Sequence, residues 1–105
     1  MARYLIEFES AALPGQDEVY NDWYEKVHIK DVLAVPGFRS CRRYRIVDPS
    51  DARPRYMAAY EVECDDPHAL LQDLMTRAKS MVLSPSLDGG SVKITIFEPG
   101  YSAAA

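Results

Sequence analysis

The order in which two hydrophobic periods alternate along this chain restricts its fold more than any other feature. Residues 2–9 set Tyr4, Ile6 and Phe8 against Arg3, Leu5 and Glu7, a period of two that reads as a strand. After a turn at Pro14-Gly15, acidic Asp17 and Glu18 open a segment in which Val19, Tyr20, Trp23, Tyr24 and Val27 recur at helical spacing. The spacing predicts a helix from about Asp17 to near Lys30, with residues 31–35 as a last loose turn before Pro36-Gly37. A second strand, 38–47, and a third, 55–64, flank a polar loop containing Pro49 and Pro54. Asp66 followed by Pro67 is a helix start, and Leu70, Leu71, Leu74, Ala78 and Met81 form the inward stripe of a second helix. Residues 91–98 alternate again, Val92, Ile94 and Ile96 against Lys93, Thr95 and Phe97.

The result is β-α-β-β-α-β, an α+β ferredoxin-like order with a four-stranded antiparallel sheet and two helices on one face. Plain alternation puts Phe38, Ser40, Arg42, Tyr44 and Ile46 on one face of the second strand, opposite Arg39, Cys41, Arg43, Arg45 and Val47. On the third strand, Tyr56, Ala58, Tyr60 and Val62 oppose Met57, Ala59, Glu61 and Glu63. Both sheet faces therefore carry large apolar groups, and one helix pair covers only one of them. A second copy of the same sheet is the simplest cover for the other, which predicts a homodimer. One domain is expected over residues 1–101, with 102–105 as a flexible tail.

With 105 residues the chain has room for one core. A formal charge of -4 and a pI near 5.1 argue against a nucleic-acid or anionic-membrane partner. No apolar run approaches the length of a membrane span, and the amino-terminal segment does not read as a signal peptide, so the expected location is cytoplasmic. Cys41 and Cys64 have neither redox nor metal spacing, and His28 and His68 are too few for a dedicated zinc site. No metal is expected. Phosphate loops and nucleophile elbows are absent from the sequence.

The segment Asn21-Asp22-Trp23-Tyr24-Glu25-Lys26-Val27-His28, followed by Val32-Leu33-Ala34-Val35-Pro36-Gly37-Phe38, resembles the EthD-like group of the dimeric α/β-barrel superfamily. The likeness continues through Arg42-Arg43-Tyr44 and Tyr60-Glu61-Val62 and spans nearly the whole chain. The resemblance implies a ferredoxin-like subunit, a homodimer whose sheets face one another, and a pocket between sheet and helices. It also implies cofactor-free chemistry on aromatic or polyketide-like compounds, although the superfamily includes members without established activity and haem-degrading or quinol-oxidising relatives.

Tyr20, Tyr24 and His28 lie at i, i+4 and i+8, along one stripe of the first helix, with Asn21 at its border. An imidazole at the end of an aromatic stripe suits a general acid or base near neutral pH. The alternative is a structural histidine bonded to a carbonyl or to Asp31. Asn21 and Tyr24 are the expected orienting partners of His28. Trp23, which pairs with Val27 as core, would also make a broad wall for an aromatic ring. Tyr44 and Tyr60 offer phenols that can donate to a developing oxyanion, the alternative being edge-packed tyrosines with solvated hydroxyls, and Arg42, on the face of Tyr44 and Phe38, is the candidate contact for an anionic substrate. Arg43 is expected in an ion-pair network with Glu7 and Glu61, the alternative being a carboxylate-binding role. These residues point to a cofactor-independent lyase or isomerase acting on a small aromatic compound. The alternative is a non-catalytic dimer that binds such a compound as an accessory to its pathway.

Overall fold

The computed structural model describes all residues, Met1–Ala105. Four strands, β1 (Ala2–Ser10), β2 (Phe38–Ile46), β3 (Arg55–Cys64) and β4 (Lys93–Phe97), form one antiparallel sheet in the order β2-β3-β1-β4. β1 lies between β3 and β4, pairing Ile6 with Tyr60 on one side and with Ile96 on the other. This is the split βαβ arrangement that the order of periods predicts. No helix is long and apolar enough to cross a membrane.

The first helix runs without a break from Asp17 to Leu33, three residues beyond the expected end, through three stretches. These are α-helix over Asp17–Trp23, a π-helical turn over Tyr24–His28, and α-helix again over Ile29–Leu33. The second helix spans Pro67–Ala78, and the Asp66 side chain caps it by accepting from the backbone N–H groups of His68 and Ala69. Both helices cover the same sheet face. The core between them holds Ile6, Tyr20, Tyr24, Val32, Tyr60, Val62 and Leu74. The opposite face carries Leu5, Met57, Ala59, Arg42 and Tyr44, and no element of the subunit lies over it.

β2 departs from simple alternation at one point, which changes the residues that face the helices. Phe38 pairs with Val62, but Ser40 pairs with Glu61, so Arg39 is an extra residue at a β-bulge. Beyond the bulge the alternation is inverted relative to Phe38. Phe38 stays inward, 5% exposed, while Cys41, Arg43 and Arg45 join Tyr60, Ala58 and Tyr56 on the helix side. Arg42 and Tyr44 fall on the uncovered face. The expected face set of Phe38 with Arg42 and Tyr44 is therefore split, and Arg43 is not in the company of Glu7 and Glu61.

The chain enters β2 through Gly37, whose φ of +107° lies where side chains are disfavoured. A Cβ at this position would also meet a Leu70 methyl at 3.0 Å. Replacing Gly37 with alanine should therefore destabilise the domain by roughly 1 to 3 kcal/mol through backbone strain and contact with the second helix. Urea denaturation measures this directly, and an unchanged midpoint would contradict the assigned turn geometry.

Candidate active site

The bulge places Arg43 under the first helix, with its side chain only 12% exposed. The guanidinium lies 4.3 Å from the ring centre of Tyr24, 5.3 Å from that of Tyr56 and 5.5 Å from that of Tyr20. One terminal nitrogen donates to Asn21 Oδ1 at 2.8 Å and to Glu25 Oε2 at 3.0 Å. The remaining Nε and Nη2 groups are buried and have no conventional acceptor. The faces of the three rings take that role, as cation–π contacts do where water is excluded. Tyr56 also donates to Asp17 at 2.9 Å, and the buried hydroxyls of Ser10 and Tyr20 are hydrogen-bonded to each other. The amino-terminal half of the first helix is thereby fastened to the sheet by polar contacts made beneath aromatic rings.

The π-helical turn then sets the phase of the helix beyond it. Residues five apart in an α-helix project about 140° away from one another. Across Tyr24–His28 the backbone instead bonds i to i+5, with Ile29 N–H donating to the Tyr24 carbonyl. His28 consequently lies against Trp23, with ring centres 4.7 Å apart and planes 25° from parallel. Tyr24 meets the edge of the same imidazole at 5.1 Å. An uninterrupted α-helical reading pairs Trp23 with Val27 and cannot anticipate this stack.

Trp23, Tyr24 and His28 line a cavity of about 170 Å³ between the helices and the sheet. The sheet contributes Phe8, Tyr60 and Ile94, the second helix contributes Leu74, Met75 and Ala78, and the segment after that helix contributes Leu83 and Leu87. Trp23 Nε1 donates to the Val82 carbonyl at 2.8 Å, which holds that segment over the cavity. Met75, Leu83 and Val92 are the exposed members of the lining and mark its mouth.

Two polar groups of the lining are unpaired. Tyr60 is 1% exposed, with its hydroxyl buried and unpartnered beside the Cys41 thiol, and burial raises its pKa strongly, so it remains a protonated phenol. Edge-on contacts with Phe8 at 5.6 Å and Phe38 at 5.5 Å fix the Tyr60 ring. At His28, Nδ1 is sealed without a partner, which leaves Nε2 as the reachable nitrogen. Burial pushes the imidazole pKa below its ordinary value of 6.5, and Asp31 opposes this only in part. Burial thus favours the uncharged form of His28. The expected alternative for His28, a hydrogen bond to a carbonyl or to Asp31, is not formed at the sealed nitrogen.

Of the residues singled out from sequence, the fold brings His28, Tyr24, Trp23 and Tyr60 to one cavity. Asn21 and Phe38 stand one layer behind it, Asn21 through Arg43 and Phe38 through Tyr60. Arg42 and Tyr44 stack on each other on the uncovered sheet face, with the guanidinium 5.6 Å from the ring centre, and do not reach the cavity. The bulge is the physical reason. Arg43, read from sequence as an ion-pair residue or a carboxylate contact, packs behind Tyr24 and holds Asn21 and Glu25. Leu83 and Leu87 lie in a segment with no regular period, so no sequence signal marks them as lining.

No protein-family model matches the chain, and no curated protein matches it significantly. Solved structures do share its fold. An ethyl tert-butyl ether D (EthD) family protein from Bacillus halodurans gives a TM-score of 0.58 at 20% identity, covering 95% of this chain and 100% of that one. A protein from Shewanella loihica with a provisional monooxygenase assignment gives a TM-score of 0.57 at 13% identity, covering 97% of this chain and 99% of that one. At these identities the likeness establishes the ferredoxin-like fold, and it places an EthD family protein among the structural neighbours, in line with the sequence resemblance.

Replacing Arg43 with lysine keeps the charge but removes the planar group that three rings and two acceptors hold. The expected loss is about 2 kcal/mol of stability, measurable by urea denaturation, with altered emission from Trp23 as the first helix loosens. A fully stable variant with unchanged emission would show that Arg43 does not anchor the helix.

Proposed function

We propose that the cavity is the active site of a cofactor-independent acid–base enzyme, a lyase or isomerase acting on a small aromatic or polyketide-like compound. The observation that carries this reading is His28, a neutral imidazole with one nitrogen sealed and the other reachable, set in an apolar cavity against Trp23. An imidazole whose uncharged form is favoured by burial can accept a proton at neutral pH and return it. His28 Nε2 would take the proton from a carbon next to a carbonyl. The Tyr60 phenol, held protonated by burial, would donate to the oxygen on which negative charge collects. Return of the proton at another carbon completes an isomerisation, and departure of a neighbouring group completes an elimination.

Trp23 supplies the flat wall against which an aromatic ring lies. Tyr24 holds the edge of the imidazole, and Asn21 acts through Arg43 on the position of Tyr24. Phe38 buttresses Tyr60. Arg42 and Tyr44 belong to the uncovered sheet face, where Leu5, Met57 and Ala59 leave apolar surface for a second copy of the chain, and a cytoplasmic homodimer completes the reading. A second reading, a non-catalytic dimer that binds an aromatic compound for its pathway, is favoured by one observation. The one acidic residue of the lining, Glu9, turns its carboxylate to Arg55 and Lys93 on the other sheet face, and no second imidazole lines the cavity to relay the proton of His28.

The test is a turnover assay on aromatic ketones, phenols and lactones, run with and without oxygen, for the wild type and His28→Ala. Loss of activity by a factor of at least about 100 is expected for a missing general base, with the same dimer mass by light scattering and oxygen-independent turnover in the wild type. Undiminished turnover by His28→Ala would overturn the mechanism. Consumption of oxygen would replace it with an oxygenase.

A further inference from the structure

The charges around the cavity are all turned away from it. Glu9 contributes to the lining, but its position between Phe8 and Ser10 puts its side chain on the other sheet face. There its carboxylate lies 3.5 Å from Arg55 and 4.0 Å from Lys93. Arg43, packed on the lining residue Tyr24, is held behind that ring by Asn21 and Glu25 and is not part of the lining. Arg42, the expected partner for an anion, is on the far face of the sheet. No lysine or arginine lines the cavity, and at the end of the second helix, where Ala78 joins the lining, the Arg77 and Ala78 carbonyls already accept from the Ser80 and Met81 N–H groups. The remaining free polar atoms are those of a neutral imidazole and a protonated phenol. An ion entering this space would lose its hydration and find no opposite charge, which is strongly unfavourable.

From this arrangement we infer that the cavity selects an uncharged ligand seating one aromatic ring, and that it rejects carboxylates and ammonium ions of the same size. The inference rests on the reading of this cavity as the functional site and narrows its substrate class. The volume supports one ring, since a cavity of about 150 Å³ is enough to take up benzene, and any substituent beyond the ring would leave through the mouth at Met75, Leu83 and Val92. Within the cavity, the ring would lie along Trp23, and a carbonyl or hydroxyl on it would be met by Tyr60 or His28. The ligand would therefore be an ester, amide, lactone, ketone or neutral phenol, and any acid group in its chemistry would have to be formed or masked elsewhere.

Trp23 is the only tryptophan of the chain, so its emission reports occupancy without a label. Three probes that share one ring, benzyl alcohol, benzoate and benzylammonium, can be titrated at pH 7.5 against the intact protein and against Ala78→Phe, which fills the cavity from the second helix. Benzyl alcohol should change the Trp23 emission saturably and at least tenfold more tightly than either ion, and Ala78→Phe should abolish the change while unfolding at a similar temperature. Should Ala78→Phe fail to fold, chemical-shift changes at the Ala78 and Leu74 methyl groups of the wild type locate the bound ring instead. Binding of benzoate or benzylammonium as tight as that of the alcohol would overturn the inference, and so would the absence of saturable binding by the alcohol. Preference for the neutral probe together with no turnover of any neutral aromatic would uphold the inference while removing the catalytic reading. Turnover of a carboxylate that depends on His28 would do the reverse.

Discussion

A guanidinium held beneath three tyrosine rings is the contact on which the rest of this structure depends. Arg43 reaches that position because one extra residue at Arg39 inverts the alternation of β2. Its contacts with Tyr20, Tyr24, Tyr56, Asn21 and Glu25 fix the azimuth of the first helix on the sheet. Once the first half of the helix is fixed, the π-helical turn decides where the second half points, and His28 arrives against Trp23 over the cavity. A buried charge without a carboxylate in the same dry layer is costly, and here the ring faces and the two edge acceptors offset that cost. The polar contact thus lies outside the cavity, which keeps the cavity itself apolar.

The fold is legible from the sequence because its signals are periodic and mutually consistent. Tyr4, Ile6 and Phe8 on β1, Ala58, Tyr60 and Val62 on β3, and Ile94 and Ile96 on β4 all face the helices, as simple alternation predicts. Asp66 caps the second helix as an aspartate before Pro67 should. Periodicity fails as a guide where local geometry departs from the regular repeat. A bulge leaves no mark in a run such as Phe38-Arg39-Ser40-Cys41-Arg42-Arg43, in which both faces carry arginines, so alternation assigns Arg42 and Tyr44 to the pocket when they belong to the other face. The π-helical turn is equally silent in sequence. The stripe of Tyr20, Tyr24 and His28 leads to the cavity, yet the stacking partner of His28 is Trp23, five residues away.

The two irregularities that escape sequence reading are also the two that shape the candidate site. Regular geometry would leave Arg43 on the uncovered face and turn His28 away from Trp23. Departures of this kind persist only where the surrounding structure holds them, and they concentrate where side chains must be aimed. The chemistry of the cavity is consistent with that view. Burial favours the neutral imidazole and the protonated Tyr60 phenol, the forms that the proposed chemistry would use as proton acceptor and hydrogen-bond donor.

The central claim is that His28 is a neutral, desolvated imidazole packed on Trp23, and nitrogen-15 NMR of the imidazole as a function of pH tests it most directly. Since burial favours the uncharged form, protonation is postponed to lower pH. The account predicts a midpoint below 6.5, with the neutral ring dominant at pH 7 and with direct magnetisation transfer to the Trp23 indole. A midpoint at or above 6.5, or an imidazole with no contact to Trp23, would contradict it.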